Sequence, residues 1–516
     1  MIELLIALLY SMIRMFSAYI LSLILSVLIG VAMARNKYIE SLLLPVLDVL
    51  QSIPILGFFP IALLLLIRTL PGFLGVELAI IFLIVTSMIW NMIFGVYSSI
   101  KSLDPSIYDL VRVYRFSPAT TFFRIYIPAS IKAIAANSTI SWAGGWFFIT
   151  SAEIITAGTT EIKVLGIGSY IVNAFEAGDL MRMYLAIGVL LIAIVSTYIF
   201  LWNPMSEEAG FAGVISVNII YRYVRRFFVQ AYDHVVSLME TSNISIMRSL
   251  ERISSNTPYV FIRTHRTTLA MIILSIILFF LWRERYYSMS IGGVIILPNI
   301  SPEDVIFNLL LSLGRVLGVL FLSLIISLFL AYFSYRSMRH VSRYIVLSGE
   351  VLASIPAILW WPILSSLAEK SVYGAYTVSL VVFLQGSLWY SFFSILIFGL
   401  SSLRRDFIDL ADVYRIKRVY FIRSIFIPML IPSISSGMLS SWGGAWNSTI
   451  AAEYFSTENM NIDLGGIGAL MVKASERGDI GELIILVLIL SLTIIFINKI
   501  FWRQIFKSLS RRFPVE

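Results

Sequence analysis

Long apolar runs recur throughout this 516-residue chain and constrain its fold more than any other feature. The chain is 59% hydrophobic and only 13% charged, about half the charged fraction of an ordinary soluble domain, and its mean hydropathy is +0.90. Roughly 20 apolar residues suffice for a helix to cross a bilayer. The sequence therefore predicts an all-α, polytopic membrane protein. The opening segment, MIELLIALLYSMIRMF, lacks a basic n-region and a cleavage site, so we expect no removable signal peptide.

About eleven segments are long and apolar enough to cross a bilayer. They lie at approximately 9–34, 41–67, 77–100, 129–156, 180–202, 267–284, 303–335, 341–366, 375–400, 429–455 and 480–503. Lys and Arg concentrate in alternate loops, on the side that the positive-inside rule assigns to the cytosol. We therefore expect the N-terminus outside and the C-terminus inside. The net charge of +8 then belongs to a cytosolic membrane face, and we predict no nucleic-acid partner.

An internal repeat covers most of the chain. The matching pairs are SWAGGWFFITSAE (141–153) with SWGGAWNSTIAAE (441–453), SIPILGFFP (52–60) with SIPAILWWP (354–362), and LGIGSYI (165–171) with LGGIGAL (464–470). Nearly all of 9–200 maps onto 310–500, so the chain holds two copies of one membrane unit.

The repeat divides the chain into four segments: a first repeat at 1–202, a cytosolic linker at 203–266, an extra transmembrane helix at 267–284 and a second repeat at 285–516. Each repeat has five predicted helices that start outside and end inside. Because the extra helix adds one crossing, both repeats keep the same orientation and are parallel. The linker is either a spacer on the membrane surface or a segment that binds a regulator or partner.

Two predicted cytosolic loops, one in each repeat, share their charge, spacing and final Pro. They read DLVRVYRFSPATTFFRIYIP (109–128) and DLADVYRIKRVYFIRSIFIP (409–428). The positions in common include Asp109, Leu110, Tyr114, Arg115 and Pro128, and Asp409, Leu410, Tyr414, Arg415 and Pro428. One such loop alone is as typical of an ordinary surface helix as of a docking surface. Two matching copies indicate a surface on which a cytosolic partner docks twice.

These loops resemble the EAA loop of ABC importer permeases, E-A-A-x-x-x-G followed by an apolar stretch that ends in I-x-L-P. Asp109 and Asp409 fall on the Glu of that pattern. Arg115 and Arg415 fall on its Gly, where Gly permits a turn that Arg does not favour. The Pro-rich second helices, and the A-W…A-E runs followed by G-x-G, are similar to those of nitrate, sulfonate, taurine and bicarbonate permeases.

The resemblance implies a fused permease of an ABC-type anion importer, with two parallel type I (MetI-like) repeats in the cell membrane. It implies three partners besides the lipid bilayer: two copies of a cytosolic ABC ATPase and an extracytoplasmic solute-binding protein. It also implies that this chain is not an enzyme and holds no cofactor, while ATP and Mg bind to the ATPase subunits. No G-x-x-x-x-G-K-[ST] phosphate loop occurs in the sequence.

Several residues inside the predicted membrane segments are candidates for the translocation path or for the interface between the halves. They are Trp142, Gly144, Trp146, Trp442, Gly444 and Trp446, with the helix-breaking Pro54, Pro60, Pro356 and Pro362. The Trp and Gly residues either pack helices together or line the path. The prolines produce simple kinks or unwound backbone that faces a cavity. Glu153 and Glu453 are expected near the outer rim in a structural, hydrogen-bonded role.

Three other classes of protein compete with a permease. An intramembrane enzyme is disfavoured because the sequence has only three His residues and no H-E-x-x-H motif, and we predict neither a catalytic nor a metal site. A secondary transporter or channel with parallel repeats stays open, and transport without an ATPase would distinguish it. A duplicated structural membrane protein is the third class, favoured if no cavity separates the halves.

Overall fold

The structure is a computed structural model that describes residues 2–202 and 301–504, apart from 56, 58, 60–61, 64–65, 67–68, 71, 158–159, 337–338, 401–402, 404–412, 458–459 and 503. The predicted linker and the predicted helix at 267–284 lie outside these residues. So do three of the candidate site residues, Pro60, Asp409 and Leu410.

The first half consists of membrane helices with a short hairpin near one end. Its elements are α1 (Ile2–Arg35), α2 (Lys37–Ser52), α3 (Phe73–Lys101), α4 (Pro105–Val113), α5 (Pro118–Thr121), a π-helical turn (Phe122–Tyr126), α6 (Ile127–Glu153), β1 (Ile154–Ala157), β2 (Thr160–Lys163), α7 (Ile167–Glu176), α8 (Leu180–Thr197) and a second π-helical turn (Tyr198–Trp202).

The second half repeats the order of the long helices and the hairpin, with further short turns and helices between them. Its elements are α9 (Pro302–Arg336), α10 (Arg339–Ala353), a 3₁₀ turn (Ala357–Leu359), α11 (Trp360–Ile363), α12 (Ser365–Ala368), α13 (Val372–Phe393), a π-helical turn (Ser394–Gly399), α14 (Arg418–Phe421), a π-helical turn (Ile422–Phe426), α15 (Ile427–Glu453), β3 (Tyr454–Thr457), β4 (Met460–Asp463), α16 (Ile467–Glu476), α17 (Ile480–Ile497) and a π-helical turn (Asn498–Trp502).

The long helices place small side chains inside and large apolar ones outside. Along α1, Ser11, Ala18 and Ser22 are fully buried, whereas Ile13 and Ile20 are exposed. This inversion suits a bilayer, where lipid solvates large apolar side chains and small residues let helix backbones approach. The predicted all-α polytopic membrane fold is thereby confirmed.

Seven described helices are long and apolar enough to span a membrane, and a bent pair at 344–353 and 357–363 makes an eighth. The bend is 87° and lies at the break around Pro356. The helix at 267–284 is outside the described residues, so the count of about eleven stays a prediction.

Each half also contains a two-stranded antiparallel hairpin that the sequence analysis did not predict. Ile154 pairs with Lys163 in the first half, and Tyr454 pairs with Asp463 in the second. Each hairpin follows a Glu that ends a long helix, and the backbone oxygen of Glu153 accepts from the N–H of Val164 at 3.1 Å. Four-residue strands are too short for apolar periodicity to separate from a helix end.

The two halves are interlocked through the helices that precede their Pro-rich breaks. Helix α2 of the first half packs against α15 and α17 of the second. Helix α10 of the second half packs against α6 and α8 of the first. A Cβ at Gly57 would lie 2.3 Å from the terminal methyl of Met471, so the contact is close. The helix before each break therefore packs against the opposite half.

Candidate functional site

A cavity lies where the halves meet, between α6 of the first half and α10, α13 and α15 of the second. Its lining residues are Ile140, Ala143, Gly144, Phe147, Phe148, Ala353, Gln385, Gly386, Trp389, Tyr390, Phe393, Gly444 and Asn447. None of these side chains is charged. The two predicted glycines, Gly144 and Gly444, are therefore part of this lining.

Close helix approach beside the cavity depends on these glycines. A Cβ at Gly444 would lie 2.0 Å from the backbone oxygen of Gly386 and 2.6 Å from the ring of Tyr390. In the first half, a Cβ at Gly144 would lie 3.3 Å from the backbone oxygen of Ser87. Of these two glycines, Gly444 therefore has the closer neighbour.

Backbone at the second Pro-rich break is unwound and is held by a glutamine. Helix α10 ends at Ala353, and Pro356 has an extended conformation with ψ 132°. The amide nitrogen of Gln385 donates to the backbone oxygens of Leu352 and Ile355, at 2.7 and 2.8 Å. These carbonyls have lost their helical partners, so Gln385 satisfies groups that would otherwise be buried and unpaired.

The first Pro-rich break is held across the interface. Helix α2 ends at Ser52, and the backbone N–H of Ile55, which follows Pro54, donates to the amide oxygen of Asn447 at 2.7 Å. The amide nitrogen of Asn447 donates to the backbone oxygen of Gly443 at 3.1 Å. Phe147 occupies the position equivalent to Asn447 in the first half, and its side chain has no hydrogen-bonding group. The side chains of Gln385 and Asn447, which bond to the two breaks, both come from the second half.

The four predicted tryptophans lie away from the cavity, inside their own halves. Trp142 contacts the rings of Phe16 and Trp202, with centroids 5.0 and 5.2 Å apart. In the second half, Trp442 contacts Trp446 and Trp502 at 5.6 and 6.3 Å. Of the predicted S-W-x-G-x-W pattern, only the glycines reach the cavity, while the tryptophans fix the long helix against its neighbours in the same half.

Each half buries one carboxylate where its long helix ends, beside the start of the following short helix. Glu153 accepts from the backbone N–H of Gly168 at 2.8 Å, from Nη1 of Arg14 at 3.1 Å and from the hydroxyl of Ser11. The N-terminus of α7 offers unpaired N–H groups and a favourable dipole for this anion. Ser11 also accepts from the N–H of Ile167 at 2.8 Å.

The second half reproduces this network. Glu453 accepts from the backbone N–H of Gly468 at 2.9 Å, from Nη1 of Arg315 at 3.1 Å and from the hydroxyl of Ser312 at 2.6 Å. Both carboxylates are fully buried, and the structure places them in a hydrogen-bonded network. The serines and arginines were not predicted from the sequence, although S-x-x-R occurs in the first long helix of each half, as SMIR and SLGR.

The carboxylates lie directly against the G-x-G pairs and leave no room for a side chain there. A Cβ at Gly166 would lie 2.1 Å from Cδ of Glu153, and one at Gly466 would lie 2.2 Å from Cδ of Glu453. At Gly168 the added Cβ would meet the backbone Cα of Thr150 at 2.5 Å. The A-E run and the G-x-G pair, which are distant in sequence, are therefore two sides of one contact.

The two arginines have different second partners. Arg14 makes a bidentate pair with Glu77, at 2.8 Å from Nε and 2.6 Å from Nη2. Both guanidinium groups also lie at a cation–π distance from a tyrosine ring, Arg14 at 5.9 Å from the centroid of Tyr10 and Arg315 at 5.8 Å from that of Tyr376. Arg315 also donates to the backbone oxygens of Leu464 and Gly465, at 2.6 and 2.7 Å. The network is thus more acidic in the first half.

The described parts of the two predicted docking loops share one turn. Arg115 and Arg415, at the position of the family Gly, both adopt a left-handed conformation, with φ 49° and 48°. The N–H of Arg115 donates to the oxygen of Arg112 at 3.2 Å, and that of Phe116 to the oxygen of Val111 at 3.1 Å. This pair of bonds is a Schellman motif, which normally has Gly at the left-handed position.

An apolar surface accompanies the turn in both copies. Val113 and Tyr114 are 77% and 69% exposed, and Val413 and Tyr414 are 76% and 74% exposed. Leu110 is also exposed. Further along, Pro128 and Pro428 each stand in the first turn of a long helix, directly after a π-helical turn. The exposed Val and Tyr side chains of the two loops lie outside the membrane helices and are suited to contact with a protein partner.

Asp104 begins the helix that carries the first of these surfaces. Its carboxylate accepts from the backbone N–H of Ser106 at 2.8 Å, as an N-cap of α4. Hydrogen bonds from the backbone and side chain of Ser106 hold the pKa of Asp104 below its ordinary value. The cap is therefore made by the ionised form.

Long apolar helices, a cavity between two like halves and paired exposed loops are together the features of a multi-pass membrane transport component. The chain belongs to the family of binding-protein-dependent transport system inner membrane components, which it matches twice, at residues 22–205 and 323–506. The double match confirms the prediction of two fused permease repeats and of a cell-membrane location. Members of this family are permease components and are not themselves catalytic.

Three relatives show the range of similar proteins. The bicarbonate transport system permease protein CmpB of Synechocystis sp. is 26% identical over 174 residues, 34% of this chain and 58% of the relative. The nitrate import permease protein NrtB of Leptolyngbya laminosa has the same identity and coverage. A probable ABC transporter permease protein of Brucella melitensis is 27% identical over 145 residues, 28% of this chain and 56% of the relative. The chain therefore spans less than two thirds of the length of these relatives.

Proposed function

We propose that this chain is the fused permease of an ATP-driven importer and forms the translocation path for a small anion of the nitrate or bicarbonate kind. One chain supplies both permease halves. Two copies of a separate cytosolic ABC ATPase bind the two exposed loops, and an extracytoplasmic solute-binding protein delivers the solute. ATP and Mg bind to the ATPase subunits. The N-terminus lies outside and both loops lie inside.

The observation that carries this proposal is the pair of loops. Each presents an exposed Val-Tyr pair followed by a left-handed Arg, outside the membrane helices. Such a surface, kept twice in one chain, fits two like partner subunits. Membership of the family, together with the nitrate and bicarbonate permeases among its relatives, supports this class of solute.

Reconstitution tests the proposal. The full-length chain is placed in proteoliposomes with its candidate ATPase, ATP inside and a candidate binding protein outside, and uptake of labelled nitrate and bicarbonate is followed. We expect uptake that needs hydrolysable ATP, with a non-hydrolysable analogue as the control. Equal uptake in liposomes without the ATPase would instead establish a secondary transporter or channel.

A further inference from the structure

The cavity between the halves is polar on one side only. Its first-half residues, Ile140, Ala143, Gly144, Phe147 and Phe148, have no polar side-chain atom. The second half supplies every side-chain amide, hydroxyl and indole N–H in the lining, from Gln385, Trp389, Tyr390 and Asn447. Among the described residues that line this cavity, a solute therefore meets hydrogen-bonding side chains of the second half alone.

Three of these four polar side chains are already engaged. Gln385 donates to the unwound backbone of α10, and its oxygen accepts from Nε1 of Trp389 at 3.1 Å. Asn447 holds the N–H of Ile55 and the oxygen of Gly443. Within the part of the chain that the structure describes, the Tyr390 hydroxyl makes no hydrogen bond. It is the donor in the lining that is free to meet a solute.

We infer that the Tyr390 hydroxyl is the hydrogen-bond donor that a small oxyanion meets midway along the path. This inference rests on the proposed function and names the chemistry by which the cavity holds the solute. A transported ion must bind well enough to enter and weakly enough to leave. In a medium of low dielectric, a Lys or Arg would hold an anion strongly, whereas a neutral hydroxyl gives a modest, directional bond.

Aromatic side chains complete such a site without adding charge. Phe147, Phe148, Trp389 and Phe393 surround the cavity together with Tyr390. Aromatic rings have negative faces and positive edges, so ring edges are compatible with an anion. No carboxylate is among the described residues that line the cavity. The cavity thus suits a compact acceptor such as nitrate or bicarbonate.

The decisive variant is Tyr390→Phe, which removes one oxygen and keeps the ring that packs on Gly444. Uptake and ATP hydrolysis are measured together in proteoliposomes that hold the permease, its ATPase and its binding protein, with nitrate and bicarbonate as probes. A lost hydrogen bond to an ion corresponds to about tenfold or more. We expect the number of nitrate or bicarbonate ions imported per ATP hydrolysed to fall by about tenfold. The ATPase rate stimulated by the binding protein should stay within twofold of the wild-type rate.

Tyr373→Phe is the matched control, since Tyr373 lies on the same helix and is 85% exposed. A second variant, Tyr390→Gln, restores a donor and is expected to recover part of the transport. An unchanged melting temperature of Tyr390→Phe excludes misfolding.

Two results would separate the inference from the proposed function. If the wild-type complex imports nitrate or bicarbonate with ATP and Tyr390→Phe imports it equally per ATP, the role of Tyr390 is wrong and the importer stands. If the wild-type complex imports neither anion under any ATP condition, the proposed function itself fails. Import of a cationic solute by the wild type would also overturn the oxyanion site.

Discussion

The amide oxygen of Asn447 lies 2.7 Å from the backbone nitrogen of Ile55 and joins the two halves of the chain at the first Pro-rich break. Pro54 interrupts the backbone there, so the N–H of Ile55 has no helical acceptor of its own. A side chain from α15 replaces that acceptor. The unwound segment of one half is thereby positioned by the long helix of the other, beside the cavity that both line.

Asn447→Leu is expected to lower stability because the buried N–H of Ile55 would lose its acceptor. An unsatisfied buried donor costs about 1–3 kcal/mol, and Ile55 is buried. Thermal unfolding in detergent measures the change. Thr377→Ala is the control, since the Thr377 hydroxyl bonds only to its own helix at an exposed position. Equal melting temperatures for Asn447→Leu and Thr377→Ala would contradict the role given to this bond.

Removal of the buried carboxylate charge should lower the stability of the protein more in the second half than in the first. After Glu153→Gln, Arg14 keeps its bidentate pair with Glu77. After Glu453→Gln, Arg315 is left with backbone oxygens and the ring of Tyr376. Breaking a buried pair costs about 3–5 kcal/mol, so we expect Glu453→Gln to approach that range and Glu153→Gln to fall below it.

Chemical denaturation of the two Gln variants, in the same detergent, tests this order. A matched second variant removes both charges: Glu453→Gln with Arg315→Met should recover much of the loss, because no unpaired charge remains. Equal losses in Glu153→Gln and Glu453→Gln would show that Glu77 does not support Arg14.

Gly168→Ala is expected to destabilise the corner where the carboxylate meets α7. The added Cβ would lie 2.5 Å from the Cα of Thr150, and backbone cannot move aside as a flexible side chain can. Overpacking of this kind costs about 1–3 kcal/mol. Gly188→Ala is the matched control, because a Cβ there meets no atom within 4 Å and Ala favours a helix interior by about 0.5–1 kcal/mol. Opposite shifts of melting temperature are therefore expected.

The repeat and the membrane character could be predicted from sequence because both rest on patterns of many residues. The start of each long helix at Pro128 and Pro428 followed from proline chemistry in the first turn. The carboxylate networks could not be predicted in the same way. Ser11 and Arg14 lie far from Glu153 in sequence, and no periodicity records a contact between side chains of different helices. The repeated S-x-x-R was the available signal.

The cavity was harder still to predict because its polarity is not repeated. Asn447 is aligned with Phe147 when the two halves are compared, and the sequence shows this difference but not its consequence. That Asn447 holds Ile55, and that Tyr390 remains unengaged, depends on the interlocking of the halves. The tryptophans show the reverse case: they are the most visible residues of the repeat, yet they pack inside each half.

Acidification should weaken the start of the first docking helix. The pKa of Asp104 is held low by its bonds to Ser106, so the carboxylate stabilises α4 at neutral pH. This contribution is fully present above the unfolded pKa and is lost as pH falls through the lower folded value, below about 4. Hydrogen-exchange protection of residues 105–113, corrected for intrinsic rates, measures it. Asp104→Asn still caps but does not titrate, and a pH response as large as that of the wild type would contradict this assignment.

Arg115→Gly and Arg415→Gly are expected to preserve the docking loops, because the left-handed turn is what the position requires. An L-residue in that conformation costs roughly 1 kcal/mol, and Gly does not. The Gly variants should therefore bind the ATPase as the wild type does and melt slightly higher. Arg115→Val and Arg415→Val, with a β-branched side chain at positive φ, should weaken both properties. Co-purification with the ATPase measures binding. If the Gly variants lose the ATPase as fully as the Val variants, the guanidinium groups themselves, rather than the turn, make the contact.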